Sequence, residues 1–186
     1  MTYRSMTGGL TLVELMVVIA IISISLIISV PLTTEFVQHQ QKEATRNAFL
    51  AAFRFARSSA IEHRSLITAC TLSPSGTCAD TWGNTISVFR DGNGNASMDA
   101  GDTLIRSMEI DLSQWSQASR PAGRAHFQWN NLGLSHGTAG SIELCSLREE
   151  TDRFAIIVSF PGRVRSSWDF DGDGTEERSP GVPVSC

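Results

Sequence analysis

Arg163 and Arg165 follow a Pro161-Gly162 turn, and on an extended strand that spacing projects both guanidinium groups to one face with Val164 on the other. Paired guanidinium forks suit phosphate oxygens, so such a pair would hold a nucleic-acid backbone without reading its sequence. The competing reading is a solvated hairpin, or an arginine pair neutralised by Asp169 and Asp171 close by in the sequence. Arg148, Arg153 and Arg178 are candidates to extend the patch.

Two acidic loops carry oxygen side chains at the spacing of calcium ligands. Asp169, Asp171, Asp173, Gly174, Thr175 and Glu177 match the first part of an EF-hand loop, but Pro180 stands where the closing bidentate carboxylate belongs. Asp91, Asn93, Asn95, Ser97, Asp99 and Asp102 match in alternation, with Ala96 where that loop needs glycine for its turn. Asn-Gly and Asp-Gly pairs also form tight turns with no metal, and the metal-free turn is the stronger reading for both. Calcium is thus the one cofactor suggested, and weakly. Gly133-Leu134-Ser135-His136-Gly137 has the form of a hydrolase nucleophile elbow. It lacks the strand-turn-helix setting which that motif requires. His39, His63, His126 and His136 form no ligand or relay set, and no catalytic residue emerges.

These candidates belong to a chain of 186 residues, enough for one folded domain and an appendage. Hydrophobic residues make up 41% and charged residues 18%, the usage of a folding chain. A net charge of -4 excludes a protein that coats nucleic acid by bulk charge, so any basic site must be local. Cys70, Cys78, Cys145 and Cys186 show neither a C-x-x-C pair nor a zinc-finger spacing, which favours disulfides in an oxidising compartment. Of the possible connectivities, Cys70–Cys78 closes a short turn and Cys145–Cys186 ties down the C-terminus; this pairing is expected.

The N-terminus decides the class. Residues 10–30 form an apolar run long enough to cross a hydrocarbon core of about 30 Å as a helix, with no small-x-small cleavage site after it. Inside it stands Glu14, a carboxylate that needs a partner, a proton or an interface. Gly9-Leu10-Thr11-Leu12-Val13-Glu14, after a short polar leader with Arg4, resembles the class III signal of type IV prepilins, with Leu10 where the family usually places Phe. Pro31 also falls where many pilins carry a proline. The resemblance implies cleavage between Gly9 and Leu10 by a prepilin peptidase, methylation of the new amine, and pairing of that amine with Glu14 of an adjacent subunit during assembly.

Beyond Pro31 no Gly or Pro interrupts residues 33–63, and Phe49, Phe53, Ala56 and Ala60 share one helical face. The other faces carry charged residues, among them Arg46, Arg54 and Arg57. Short apolar or alternating runs at 65–70, 85–90, 103–110, 125–129, 141–147, 154–160 and 164–170 read as strands. The expected fold is α+β and pilin-like: a leader over residues 1–9, a transmembrane and filament-core helix over 10–30, an amphipathic helix over 31–64, and an antiparallel β-rich periplasmic domain over 65–186 packed on that helix.

Three further stretches resemble the GspH/FimT branch: Phe55-Ala56-Arg57-Ser58-Ser59-Ala60, Val88-Phe89-Arg90-Asp91-Gly92-Asn93-Gly94-Asn95, and Val158-Ser159 with Gly162-Arg163-Val164-Arg165. The resemblance implies a FimT-like minor pilin, a structural subunit that enters or primes a type IV filament with other pilins. Its domain would be periplasmic, anchored by a single pass through the inner membrane and displayed at the surface after assembly. In FimT-type proteins the G-R-x-R motif is implicated in binding double-stranded DNA during natural transformation, which would assign that role to Arg163 and Arg165. The alternative is a minor pseudopilin of a type II secretion system, with other pseudopilins as partners.

The processing assignment is testable in the producing cell. Gly9→Val leaves an uncleaved precursor, seen as slower migration on an immunoblot, because a branched side chain no longer fits beside the scissile bond. Glu14→Ala is cleaved but depleted from sheared filaments. Normal processing of Gly9→Val refutes the prepilin signal.

Overall fold

The computed structural model describes residues 11–121, 123–137, 139–148 and 152–185, with the backbone alone over 26–35. Gly9, Leu10 and Cys186 lie outside the described residues, as does the side chain of Pro31. The chain divides into two compact units, one ending at Lys42 and one beginning at Glu43.

A single helix, α1 (Leu12–His63), runs through both units and continues across Pro31. Thr11 caps its start: the Thr11 hydroxyl oxygen accepts the amide of Glu14 at 3.2 Å, which satisfies one of the unpaired N–H groups of the first turn. Glu14 sits in that turn, where the helix dipole favours a negative charge. Ser23 and Ser25 donate their hydroxyls to the carbonyls of Ile19 and Ile21, so neither leaves an unmet hydrogen bond in the apolar run. Most of the large apolar side chains from Leu12 to Ile24 are exposed. Among the described residues no helix is long and apolar enough to cross a membrane. The expected span at 10–30 is described only in part, because Leu10 and the side chains from 26 onward fall outside the description.

In the second unit α1 buries one face, and Phe49, Phe53, Ala56 and Ala60 are all fully buried, as their helical spacing predicts. Two antiparallel four-stranded sheets complete the core. The first has the order β3 (Thr103–Glu109), β2 (Thr85–Arg90), β1 (Ile67–Cys70), β5 (His126–Trp129). The second has the order β4 (Trp115–Arg120), β6 (Gly140–Ser146), β7 (Arg153–Val158), β8 (Val164–Ser166), and a small hairpin joins β9 (Glu177–Ser179) to β10 (Val182–Pro183). Phe53 stands where helix and sheet meet: its ring lies 5.4 Å from Trp82, 5.4 Å from Phe127, 5.8 Å from Trp129 and 5.9 Å from Phe49. On the second sheet Trp115 meets Phe154 edge-on at 5.0 Å.

Four strands depart from the sequence reading. β4 was not expected, because only Trp115 and Ala118 in it are apolar; it forms because β6 supplies its ladder along one edge. The strand expected over 164–170 ends at Ser166. There Ser167 turns inward, accepts the Ala155 amide at 2.7 Å on its hydroxyl, and donates that hydroxyl to Glu176. Trp168 then pairs with Glu177 instead of β7. β9, three polar residues, and β10, only two residues, are too short to show any alternation.

Cys70 and Cys78 form a disulfide with Cα atoms 5.6 Å apart, closing the short turn after β1. Cys145 is also disulfide-bonded.

The Phe53 cluster sets a stability expectation. Phe53→Ala removes the ring shared by four other aromatic side chains of the domain core and costs about 3–5 kcal/mol. Denaturant unfolding of the full-length protein in neutral detergent measures it; a loss below about 1 kcal/mol would mean that the cavity collapses and that the helix is held elsewhere.

Candidate functional site

The turn between β7 and β8 presents the G-R-x-R segment, and its shape is fixed by contacts that only glycine permits. The Ser159 amide donates to the Arg163 carbonyl at 3.0 Å and the Gly162 amide to the Ser159 carbonyl at 2.8 Å. Gly162 has φ +74°, and a Cβ there would stand 1.9 Å from the Gly133 carbonyl oxygen. Both the dihedral and the close approach therefore demand glycine. The Trp129 indole N–H donates to the Gly162 carbonyl at 3.1 Å, and the Ser135 amide to the Phe160 carbonyl at 3.2 Å. The loop after β5 is thus sewn to the β7–β8 turn.

α1 holds this junction from the other side. The Arg57 guanidinium donates from Nε to the Gly133 carbonyl at 2.9 Å and from Nη2 to the Pro161 carbonyl at 3.3 Å. Gly133 is itself pressed on the helix: a Cβ there would meet Ile61 Cδ1 at 2.7 Å. Gly133 and Ser135 are therefore parts of a turn, and the elbow-like spelling of 133–137 has no catalytic setting.

Between α1 and β8 lies a cleft of about 540 Å³, lined by Arg54, Arg57, Ser58 and Ile61 from the helix and by Arg163, Val164 and Arg165 from the turn and strand. Four of its seven lining residues are arginines and none is acidic. Arg165 donates from Nη1 to the Ser166 carbonyl at 3.2 Å and from Nη2 to the Arg178 carbonyl, so neutral acceptors orient it and its charge is kept. Among the described residues Arg54 and Arg163 have no hydrogen-bond or ion-pair partner. Asp169 and Asp171 do not neutralise the pair. Asp169 accepts the amides of Gly172 at 2.7 Å and Gly174 at 3.0 Å, and Asp171 accepts that of Asp173 at 3.2 Å.

The other suggested cations do not line the cleft. Arg178 pairs with the fully buried Glu143 at 2.9 Å, Arg153 donates to the Val184 carbonyl at 3.1 Å, and Arg148 lies beyond the end of β6, at the opposite end of β7 from the turn. Arg120 also pairs with Glu143, at 2.7 Å, and that hydrogen bond, followed by charge attraction, raises the guanidinium further above its ordinary pKa. Sequence reasoning placed Arg54 and Arg57 on the charged helix faces, solvated or turned to another subunit. Their i, i+3 spacing puts them side by side, but nothing in the sequence indicates that β8 lies opposite.

Of the calcium candidates, the carboxylates of Asp169, Asp171 and Asp173 lie within 4.8 Å of one another. Glu177 is not with them: its two oxygens accept the amides of Phe170 at 3.3 Å and Gly181 at 2.9 Å. In the earlier loop Asp91 is fully buried and accepts five hydrogen bonds, from Thr68, Gly94, Asn95, Ala96 and Gln128. Ala96 takes the left-handed conformation, φ 56°, that glycine would otherwise supply. The amide groups of Asn93 and Asn95 donate to Asp99, and the Asn93 bond is the first cause holding the Asp99 carboxyl below its usual pKa. Both loops are closed by their own backbone amides.

A sheet pair wrapped on the end of a long N-terminal helix can be compared with known proteins. A family model described as type II transport protein GspH matches residues 45–162. The chain belongs to the GspH family. A second model, the prokaryotic N-terminal methylation motif, matches residues 4–30 and implies a membrane-anchored, periplasmic filament subunit. GspH-family proteins are pilin-like structural subunits and not enzymes, as the sequence led us to expect. No curated protein matches the chain in sequence. The fold is similar to that of the type IV minor pilin FimU of Pseudomonas aeruginosa strain PAO1 in two crystal forms. In the first, identity is 16% over 77% of this chain and 98% of FimU, with a TM-score of 0.56. In the second, identity is 17% over 74% and 97%, with a TM-score of 0.53. At such identity the likeness concerns the fold alone, and it is the α+β pilin-like architecture expected from the sequence.

The glycine at the head of the arginine pair is the local test of this GspH-family domain. Gly162→Ala forces a Cβ into the Gly133 carbonyl at positive φ and lowers stability by about 2 kcal/mol or more, read as a reduced Tm. An unchanged Tm would mean that the two loops are free to separate.

Proposed function

We propose that this GspH-family chain is a FimT-like minor pilin whose periplasmic domain binds duplex DNA in the cleft between α1 and β8. The observation that carries the reading is the cleft itself: Arg54, Arg57, Arg163 and Arg165 line it without an acidic residue. Guanidinium groups aimed into one groove meet phosphate oxygens by charge and by forked hydrogen bonds, and they give affinity with little sequence preference. The acidic net charge of -4 is no obstacle, because phosphate contacts depend on the local field.

Assembly follows from the other end of the chain. In this reading a prepilin peptidase cuts between Gly9 and Leu10, the helix over 10–30 passes once through the inner membrane, and Glu14 pairs with the amine of a neighbouring subunit as other pilins join the filament. The methylation motif over 4–30 supports it. The FimU likeness supports a pilus in preference to a secretion filament, since the solved protein is a type IV minor pilin. The second reading, a minor pseudopilin of a type II secretion system, is favoured by the description of the matching family as a type II transport protein.

Arg163→Gln combined with Arg165→Gln separates the two. Full-length protein in neutral detergent is titrated with labelled duplex DNA at low and physiological salt. The wild type binds with micromolar or weaker affinity that falls steeply with salt, and the double variant loses most of this binding while its Tm stays nearly unchanged. Equal binding by the double variant removes DNA from the function and leaves the pseudopilin reading the stronger.

A further inference from the structure

The arginine cleft has two walls, and the helical wall is not accounted for by the G-R-x-R segment. Arg54 is exposed, lines the cleft, and has no hydrogen-bond or ion-pair partner among the described residues. Arg57, one turn further along the same face, spends its guanidinium on the carbonyls of Gly133 and Pro161. The two arginines thus stand in different chemical situations. A cation without a partner, beside others of like sign, is repelled by them unless an anion enters, whereas a guanidinium forked across two carbonyls fixes the distance between the chain segments that carry them.

We infer that Arg54 is a third phosphate-contacting residue of the DNA cleft, so that the nucleic-acid backbone crosses from the β8 edge onto α1, and that Arg57 is a positioning residue that holds the turn presenting Arg163. This inference rests on the DNA-binding reading of the cleft and deepens it. Pro161 immediately precedes Gly162, whose carbonyl is held by Trp129, so the Arg57 fork and the indole N–H grip the turn at consecutive residues. Without the fork, the turn keeps its glycine geometry but loses its tether to the helix. Arg163, with no contact of its own, then has no fixed direction.

Salt dependence distinguishes the two roles, since each phosphate contact contributes about 0.9 to the slope of log affinity against log salt on duplex DNA. The wild type and four full-length variants in neutral detergent, with matched Tm values, are titrated with labelled duplex DNA between 50 and 200 mM salt, about a fourfold range chosen for that slope. Arg54→Gln lowers the slope by about one, so the wild type's advantage over it shrinks about threefold to fourfold across the range. Arg54→Lys restores the slope, because a point charge suffices for a phosphate contact. Arg57→Lys keeps the charge but cannot span two carbonyls; its slope also falls by about one, a loss that a charge-conserving change can produce only by misplacing another cation. The fourth variant carries Arg163→Gln with Arg165→Gln. If that double variant loses binding while Arg54→Gln keeps the wild-type slope, the helical contact is overturned and the function stands. A wild-type slope in Arg57→Lys overturns the positioning role. If the double variant binds as the wild type does, the cleft is no DNA site and both fall.

Discussion

A helix of 52 residues cannot bury itself, and among the described residues its buried side chains fall between Thr45 and Ala60. Phe53 touches Trp82, Phe127 and Trp129, which come from the segment before β2 and from β5, so one helical side chain sets where the first sheet sits. Trp129 then uses its ring in this cluster and its N–H on Gly162, which carries the position of the helix into the β7–β8 turn. The site geometry is a consequence of core packing: Ile61 and Arg57 press on Gly133, and Gly133 leaves no room for anything but glycine at 162. Packing of this density passes a displacement on to its neighbours, so the arginine pair is as well placed as the aromatic core beneath it.

Charge is distributed by the same logic. The two fully buried carboxylates, Asp91 and Glu143, are not left bare. Asp91 collects backbone amides of its own loop together with Thr68 and Gln128, and Glu143 takes Arg120, Arg178 and the amide of Ser185. The carboxylates nearest the arginine pair in sequence, Asp169 and Asp171, close their own turn. Acidic residues outnumber basic ones, 19 to 15, yet none lines the cleft, while Asp169 takes backbone amides and Glu143 takes other arginines. A chain of net negative charge can present a positive groove because its acids fold inward or onto themselves.

Where sequence patterns were strong, the fold was legible. The period of Phe49, Phe53, Ala56 and Ala60 gave the buried helical face, and β2, with its run of apolar residues, begins and ends where alternation places it. β4 was not legible because its contribution to the sheet is backbone pairing, to which Ser116, Gln117 and Ser119 give no hydrophobic signature. β8 was read too long because Trp168 and Phe170 continue the apolar alternation, while the hydroxyl of Ser167, which ends the strand, is a local hydrogen bond without a pattern. Within the site, Arg163 and Arg165 could be singled out from a turn and a two-residue spacing. Arg54 and Arg57 could not, since helical arginines on a polar face look alike whether they meet solvent or another strand. Glu177 was a candidate calcium ligand by its position in a loop, and its oxygens accept two backbone amides.

β8 lies at the edge of its sheet, and edge strands are commonly kept from pairing with other chains by being short and charged. Three residues of strand, with an exposed arginine before them and another among them, satisfy that rule with no ligand at all. Protection of an edge, however, asks nothing of the helix opposite. It gives no reason for Arg54 to face the same cleft without a partner, nor for Arg57 to be consumed in tethering the turn. Like charges gathered in a groove raise the free energy of the empty domain, a cost that surface placement of any one of them would relieve. An anionic occupant reverses the sign of that interaction, and a polyanion reverses it for all four arginines at once.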